Sequence, residues 1–206
     1  TVTRSAETSV GSGNSDLFND SEGVLYGEIS ALADDGTYRA FAICDDSSAN
    51  RIYLGFGNGS NQLRLEMTAS SSAQVILTHN VSDTKEFQKL AVRYKTNDVS
   101  FYVNGLEVGT DTNATIPTGL DTLKFTSGST GSVLYARTKN MSVFKEELTA
   151  LELEKLTSWR DFRDLAESQQ YTLVTIKSDA IVVSAYGTTS GGGGVSGGGS
   201  GGGGGY

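Results

Sequence analysis

The sequence contains only one cysteine, one proline and one histidine in 206 residues. A single cysteine excludes an internal disulfide framework and any metal site built from several thiolates. Cys44 lies in the strand-like run AFAICDD beside Phe41 and Ile43, which predicts a buried structural thiol. A catalytic thiol would need a histidine partner, and His79 is the only histidine. We expect His79, at the end of a strand, to lie at the surface.

Positive charge is also scarce, because 16 lysines and arginines face 24 acidic residues and the net charge is −8. Proteins that bind nucleic acid need a basic patch, so this composition argues against a nucleic-acid partner. No apolar run approaches the roughly 18 residues of a membrane helix, so we expect no membrane insertion. The first residues, TVTRSAET, show neither an initiator methionine nor a signal-peptide pattern. These residues therefore look like the middle of a longer chain.

Short alternating runs separated by turn residues dominate the first two thirds of the chain and predict an antiparallel sheet protein. The first predicted strands are Gly23–Leu32, Tyr38–Asp46, Arg51–Gly57, Gln62–Thr68, Ala73–His79 and Phe87–Lys95. Two more follow in LDTLKFTSG and GSVLYARTKNMSVF, and we expect the second to bend near Lys139-Asn140. Pro117 falls in a loop, where it cannot interrupt a strand ladder.

The segment VSFYVNGLEVGT carries the clearest turn signal in the sequence. Asn104-Gly105 supplies the two residues with positive φ that a tight primed turn requires, between two alternating arms. The segment therefore predicts a β-hairpin with this dipeptide at its tip.

The apolar period changes after Phe144. Leu148, Leu151, Leu156 and Trp159 recur at helical spacing, and Thr149 with Glu152 forms a capping-box pattern. SWRDFRDLAESQQ predicts a second helix, and YTLVTIKSDAIVVSAYG predicts a final pair of strands. Ten to twelve strands at this spacing predict an antiparallel β-sandwich with a late helix pair.

Three blocks of the sequence, in the same order, resemble the concanavalin A-like, or laminin-G-like, jelly-roll module of bacteriophage tail fibres and other virion proteins. They are the strand Gly23–Ile29, the hairpin pattern at Tyr102, Val103, Asn104, Gly105 and Val108, and the closing pattern at Phe144, Leu148, Thr149 and Glu152. The resemblance covers roughly residues 1–159. It implies a lectin-like jelly-roll domain at 1–159, a helix and strand-pair extension at 160–187, and a glycine-rich tail at 188–206.

The resemblance implies a non-catalytic structural or adhesion module at the virion surface, in a phage tail fibre that binds a receptor or glycan. A head fibre or capsid decoration protein, and a bacterial extracellular polysaccharide-binding module, are the alternatives. Some members of the family hydrolyse β-glucans through a strand motif of the type E-x-D-x-x-E, and this motif is missing here. A G-x-S-x-G elbow, an H-E-x-x-H pair and a phosphate-binding loop are missing too, so we expect no enzymatic activity.

Residue type alone selects the candidates for ligand binding. Calcium, a common ligand of the family, would use turn oxygens, and no other cofactor is expected. The calcium candidates are Asp34 and Asp35 in ADDG, and Asp45, Asp46 and Asn50 in CDDSSAN; solvated turns are the alternative reading. A glycan or receptor would bind exposed aromatic and polar side chains. The candidates are Tyr53, Asn61, Arg64, Tyr94 and Tyr102, although aromatic residues on strands are more often part of a core.

The chain ends in GGGGVSGGGSGGGGGY, which has almost no apolar surface to bury. Ordering a residue costs about 1–2 kcal/mol of backbone entropy, so one copy of this tail should not order without partners. Either the tail is disordered, or it orders against symmetry mates with Val195 and Tyr206 as its anchoring side chains. The second reading predicts a homo-oligomer, a trimer in the first instance, in contact with other virion proteins.

Overall fold

The computed structural model describes residues 13–14 and 16–158, together with the backbone of 172–177 and 180–185. About half of the described residues lie in strands, and this part of the chain contains a single helix. The elements are β1 (Glu22–Ala31), β2 (Arg39–Cys44), β3 (Arg51–Phe56), β4 (Gln62–Ala69), β5 (Ser72–Asn80), β6 (Gln88–Lys95), β7 (Asp98–Val103), β8 (Leu106–Asp111), β9 (Thr122–Lys124), β10 (Ala136–Phe144), α1 (Ala150–Thr157), β11 (Thr172–Lys177) and β12 (Ala180–Ala185).

The strands form two five-stranded antiparallel sheets, which confirms the predicted sandwich. Sheet A has the order β10-β1-β6-β7-β8, and sheet B has the order β5-β4-β3-β2-β9. Strands β11 and β12 pair only with each other in a separate hairpin. Because β1 lies between β6 and β10, the start and the end of the described sandwich are neighbours in sheet A.

Alternation along each strand builds the core between the sheets, because successive side chains point to opposite faces. Sheet B contributes Phe41, Ile43, Ile52, Leu54, Leu63, Leu65 and Met67, and sheet A contributes Leu25, Ile29, Leu90, Val92, Tyr94, Val99 and Phe101. All of these side chains are fully buried. Gly27 in β1 leaves room for the ring of Phe41, which a Cβ at this position would approach to 2.5 Å.

The predicted turn and the predicted bend are both confirmed. Asn104 and Gly105 have φ values of 51° and 87° and join β7 to β8. The side-chain oxygen of Asn104 also accepts a hydrogen bond from the backbone N–H of Lys89 at 2.9 Å. In β10 the register with β1 shifts so that Lys139 is an extra residue between Thr138 and Asn140, which is a β-bulge.

Helix α1 begins where the capping box predicts, but its predicted apolar face is only partly confirmed. Both reciprocal hydrogen bonds of the box, between Thr149 and Glu152, are present. Leu151, which the spacing placed on the buried face, is 58% exposed, whereas Leu153 is fully buried. The helix has only eight residues and packs on the outer face of sheet A mainly through Leu153, while Leu148 and Leu156 are partly buried beside it as the spacing predicts.

The end of the helix is bound to the β7–β8 turn. The Thr157 hydroxyl donates to the Leu153 carbonyl at 2.8 Å and accepts from the Gly105 N–H at 3.1 Å. The Lys89 ammonium donates to the carbonyl of Ser158 at 2.8 Å. The hairpin and the helix therefore hold each other in place.

The chain beyond the helix is described only in part. The paired strands β11 and β12 confirm the predicted strand pair. The second predicted helix, Trp159, and the glycine-rich tail with Val195 and Tyr206 lie outside the described residues. None of the helices in the described part of the chain is long and apolar enough to cross a membrane.

The docking of α1 through Leu153 can be tested with one substitution and a matched control. Replacing Leu153 by alanine leaves a cavity against Val24, Tyr26 and Tyr102, and we expect the free energy of unfolding to fall by about 2–5 kcal/mol. Replacing the exposed Leu151 by alanine should change it by less than about 0.5 kcal/mol. Urea titrations of both variants measure the difference. Equal losses in the two variants would show that the helix does not dock through Leu153.

Candidate functional site

The outer face of sheet B carries a group of polar side chains at alternate positions of β3 and β4. Across this antiparallel pair Arg51 lies opposite Thr68, Tyr53 opposite Glu66, and Gly55 opposite Arg64. The intervening residues of both strands are aliphatic and point into the core. We call Arg51, Tyr53, Arg64 and Glu66 the Arg–Tyr–Glu cluster.

Glu66 is the centre of this cluster, because its two carboxylate oxygens accept hydrogen bonds from three side chains. Arg51 Nη2 donates to Oε1 at 2.7 Å, and Arg64 Nη2 donates to Oε2 at 2.6 Å. The Tyr53 hydroxyl donates to Oε2 at 2.8 Å and accepts from Arg64 Nε at 2.8 Å. Tyr53, Arg64 and Glu66 therefore each bond to two or more side chains of the cluster, and Arg51 bonds to Glu66, which fixes the cluster before any ligand arrives.

Neighbouring segments hold the cluster from outside. Arg51 Nη1 donates to the carbonyl of Ser127 at 2.6 Å, and its guanidinium lies 5.2 Å from the centroid of the Tyr53 ring. The Arg64 guanidinium lies 5.4 Å from the centroid of the Tyr38 ring, at a distance suited to a cation–π contact. The side chains of Arg51, Arg64 and Glu66 remain 16%, 13% and 13% exposed, so solvent and ligands reach their edges.

The charges of the cluster determine its protonation states. Burial by itself would raise the pKa of Glu66, but the hydrogen bonds from Arg64 and Tyr53 and the charges of both arginines outweigh burial. The pKa of Glu66 is therefore below its usual value, and the group is an anion at neutral pH. Burial, and then the hydrogen bond to Glu66, raises the pKa of Tyr53 to about 12, so its hydroxyl stays protonated. Two guanidinium groups and one carboxylate leave the cluster with one excess positive charge.

This arrangement suits the binding of an anion better than hydrolysis. Planar guanidinium groups bind carboxylates through charge-assisted hydrogen bonds. Retaining glycoside hydrolysis would require a second carboxyl group about 5–5.5 Å from the first. Within the cluster Glu66 is the only carboxylate, and its lowered pKa disfavours a role as a proton donor.

The structure separates the residues that the sequence proposed for ligand binding. Tyr94 is fully buried in the core between the sheets, and Tyr102 is 1% exposed beneath α1. Asn61 lies in the turn before β4, where its side-chain oxygen accepts a hydrogen bond from the N–H of Thr84 at 3.0 Å. These three residues are therefore removed from the candidate site. Tyr53 and Arg64 do come together, at 2.8 Å.

Sequence reasoning missed Arg51 and Glu66, although the signal for them was present. Both occupy every-second positions, two residues from Tyr53 and Arg64, in adjacent predicted strands joined by a short turn. Polar residues in that pattern share one face of a hairpin. The pairing register was needed to show that they meet.

The residues proposed for calcium lie at opposite ends of β2 and do not form one site. In the first loop, Asp35 makes a bidentate ion pair with Arg39 at 2.8 and 2.7 Å, and Asp34 accepts from Ser60 and Asn61. In the second loop, Asp45 accepts from Ser47 and Asn50, and Asp46 pairs with Lys124. Calcium requires six to eight oxygen ligands. The described residues contain no group of three or more carboxylate, histidine or cysteine ligands placed for a metal ion.

Cys44 is a buried thiol, as predicted, and burial raises its pKa. It lies on the outer face of sheet B opposite Arg51, whereas His79 pairs with the core residue Leu63. His79 is half-buried rather than fully at the surface, and burial lowers its pKa. Because the thiol and the imidazole are on opposite faces of the sheet, they cannot act as a nucleophile and base.

The lowered pKa of Glu66 predicts how the free energy of unfolding depends on pH. Its folded pKa is depressed, so its contribution to stability is complete above the unfolded value near 4.5 and is lost as the pH falls through the folded value. We expect Glu66→Gln to lower the free energy of unfolding at pH 7 by about 1–3 kcal/mol, because two arginines lose their charged partner. Below pH 4.5 the difference between wild type and variant should shrink. Urea titrations from pH 3 to 7 test this.

The control for that experiment is Glu146→Gln, a change of the same charge at an exposed position outside the cluster. This variant should follow the wild-type curve at every pH. A Glu66→Gln curve that stays parallel to wild type down to pH 3 would contradict the role of Glu66 as the ionised centre of the cluster.

Calcium makes a second prediction. Because the acidic turn residues already bind partners within the protein, we expect the midpoint of thermal unfolding to be the same in millimolar calcium and in chelator. Differential scanning calorimetry measures this directly. A midpoint several degrees higher with calcium would show that the turns do bind the ion.

The fold of the described residues is similar to that of several solved lectin-like structures. The carbohydrate-binding module, CBM40, of a Ruminococcus gnavus IT-sialidase is 14% identical with a TM-score of 0.57, over 72% of this chain and 93% of that module. The leech intramolecular trans-sialidase is 15% identical with a TM-score of 0.56, over 74% of this chain and 26% of that enzyme. The SAP-like pentraxin of Limulus polyphemus is 13% identical with a TM-score of 0.52, over 82% of both chains.

The search of curated proteins returned no significant match. A family model does match residues 29–154, which is more than half of the chain. The matched segment runs from the last residues of β1 into α1 and includes strands of both sheets with the whole Arg–Tyr–Glu cluster. The chain therefore belongs to the concanavalin A-like lectin/glucanases superfamily, as a member of its laminin-G-like branch.

Proposed function

We propose that this protein is a non-catalytic glycan-binding module, and that the Arg–Tyr–Glu cluster binds the carboxylate of an acidic sugar. The observation that carries the proposal is the excess positive charge of the cluster on a chain whose net charge is −8. An anion would find few other favourable places on such a surface. At this place the positive charge is partly exposed and held rigidly.

The geometry leaves donors for a ligand. Arg64 uses Nε and Nη2 towards Tyr53 and Glu66, and its Nη1 makes no hydrogen bond to the described residues. Arg51 donates one hydrogen bond from each of Nε, Nη1 and Nη2, and the second hydrogen on each of Nη1 and Nη2 remains available to a ligand. A carboxylate bound at these edges would not have to break the existing network. Preorganisation of this kind lowers the entropic cost of binding.

Two solved structures support this choice of ligand class. The carbohydrate-binding module of the Ruminococcus gnavus enzyme was determined with α2,3-sialyllactose and with α2,6-sialyllactose. Sialic acid is a carboxylate sugar, so a related fold binds the class of ligand that the charge of the cluster favours. At 14% identity the similarity is one of fold, so the proposal rests on the residues of this chain.

The wider role follows from the sequence resemblance. We place the module at the surface of a virion, or otherwise outside the cell, as an adhesion domain of a bacteriophage tail fibre. A trimer assembled with other virion proteins fits this role. Tail and baseplate genes beside its gene would support it, capsid genes would favour a head fibre or decoration protein, and polysaccharide-utilisation genes would favour a bacterial binding module.

Glycan binding can be tested with one charged and one neutral ligand. We expect calorimetric titration to show that 3′-sialyllactose binds and that lactose, which lacks the carboxylate, binds at least tenfold more weakly. Arg64→Gln should weaken binding of 3′-sialyllactose by about 10- to 100-fold, as expected for the loss of charge-assisted hydrogen bonds. The reducing ends of the glycans should not increase with time.

Arg137→Gln is the matched control, since it removes the same charge from an exposed position on β10 of sheet A. It should bind 3′-sialyllactose as wild type does. Equal affinity of wild type for lactose and 3′-sialyllactose, or equal losses in the two arginine variants, would contradict the assignment of the cluster as a carboxylate site.

A further inference from the structure

Exposed apolar side chains gather around one groove next to the Arg–Tyr–Glu cluster. Tyr38, Val133 and Tyr135 are 36%, 53% and 66% exposed. They line a groove of about 620 Å³. This volume falls in the range of roughly 300–1,000 Å³ that is typical of small-molecule sites. The other tyrosines of the described sandwich are at most 5% exposed, so two exposed rings in one groove stand out.

The walls of the groove are held in place by the sheet. On one side Arg39 makes the bidentate ion pair with Asp35, which fixes the loop before β2. On the other side the Ala40 N–H donates to the Ser132 carbonyl at 3.0 Å, and Ala40 forms a parallel bridge with Val133. The segment that carries Val133 and Tyr135 is thus bound to β2 through its backbone, and the loop before Tyr38 is held by a side-chain ion pair to Arg39 of β2.

The groove is continuous with the cluster through Tyr38. The ring of Tyr38 lines the groove and also lies 5.4 Å from the Arg64 guanidinium. A ligand that places a carboxylate at Arg64 therefore extends over Tyr38 towards Val133 and Tyr135. The groove would then contact the part of the ligand that is next to the carboxylate-bearing sugar.

The lining has the chemistry of a site for a sugar ring. A pyranose has an apolar C–H face, which gains dispersion contacts and loses water when it lies on an aromatic ring. Its hydroxyl groups point outwards from the rim of the ring. The groove offers tyrosine rings and a valine for the face, and the hydroxyl groups of Thr37 and Ser132 for the rim.

We propose that the groove lined by Tyr38, Val133 and Tyr135 is a second sugar subsite, which binds the pyranose ring next to the acidic sugar of an oligosaccharide. This inference rests on the proposed carboxylate site and adds to it the class of ligand: an acidic oligosaccharide rather than an acidic monosaccharide. The cluster supplies the charge recognition, and the groove supplies contact area for the neighbouring ring.

The test compares a long and a short acidic ligand with the full-length protein. Wild type should bind 3′-sialyllactose several-fold more tightly than the methyl α-glycoside of N-acetylneuraminic acid, which has no second ring. Tyr135→Ala should weaken the binding of 3′-sialyllactose by about 2- to 10-fold, the effect of one lost aromatic contact. The same variant should leave the affinity for the methyl glycoside unchanged within twofold.

Leu106→Ala, at an exposed apolar position of β8 on the other sheet, is the control and should bind both ligands as wild type does. Equal affinity of wild type for the two ligands, or an equal loss of both in Tyr135→Ala, would overturn the subsite and leave the carboxylate site standing. Failure of wild type to bind either ligand would overturn the proposed function, and the subsite with it. A thermal midpoint several degrees lower in Tyr135→Ala, with unchanged affinities, would show that another part of the chain or a second copy covers the groove.

Discussion

The structure depends on one geometric constraint: a β-sheet has two faces, and packing two sheets together covers only one face of each. The fully buried aliphatic and aromatic side chains of both sheets lie between them. The remaining face of sheet A is covered near its centre by α1, where Leu153 packs on Val24, Tyr26 and Tyr102. The outer face of sheet B instead carries the hydrogen-bonded side chains of the Arg–Tyr–Glu cluster. A ligand can reach only a face that the fold has not covered.

The polar network of sheet B is also constrained physically. A partly buried charge is tolerated when it is paired and hydrogen-bonded, and Glu66 provides this for Arg51 and Arg64 at the same time. Because one carboxylate pairs with two guanidinium groups, the cluster keeps one excess positive charge and N–H donors that Glu66 does not use. The same arrangement that stabilises the strand pair therefore supplies the positive charge and the donors that the proposed carboxylate site would use. Tyr38 lies between the cluster and the apolar groove, so the proposed carboxylate site and the proposed ring subsite are neighbours.

Local sequence patterns were sufficient for much of the backbone. The Asn104-Gly105 turn, the Thr149–Glu152 capping box and the bend at Lys139 all depend on interactions between residues close in sequence or directly across one strand pair. Leu148 and Leu156 pack on sheet A as predicted, but Leu151 was placed on the wrong face because the exact orientation of a short helix depends on the surface of sheet A beneath it. Calcium was proposed from acidic residues whose partners in the fold were unknown.

The sequence by itself determined the sandwich class, because alternation of apolar residues with a period of two leaves an antiparallel sheet few other ways to bury them. It also determined the composition of each strand face. Only the tertiary structure decided which faces are covered and which side chains meet. Of the five residues first proposed for ligand binding, register brought Tyr53 and Arg64 together with Arg51 and Glu66 and placed Tyr94 in the core. The physical reason is that strand pairing brings together residues that are distant in the chain. The type of a residue limits only which ligands its side chain could bind.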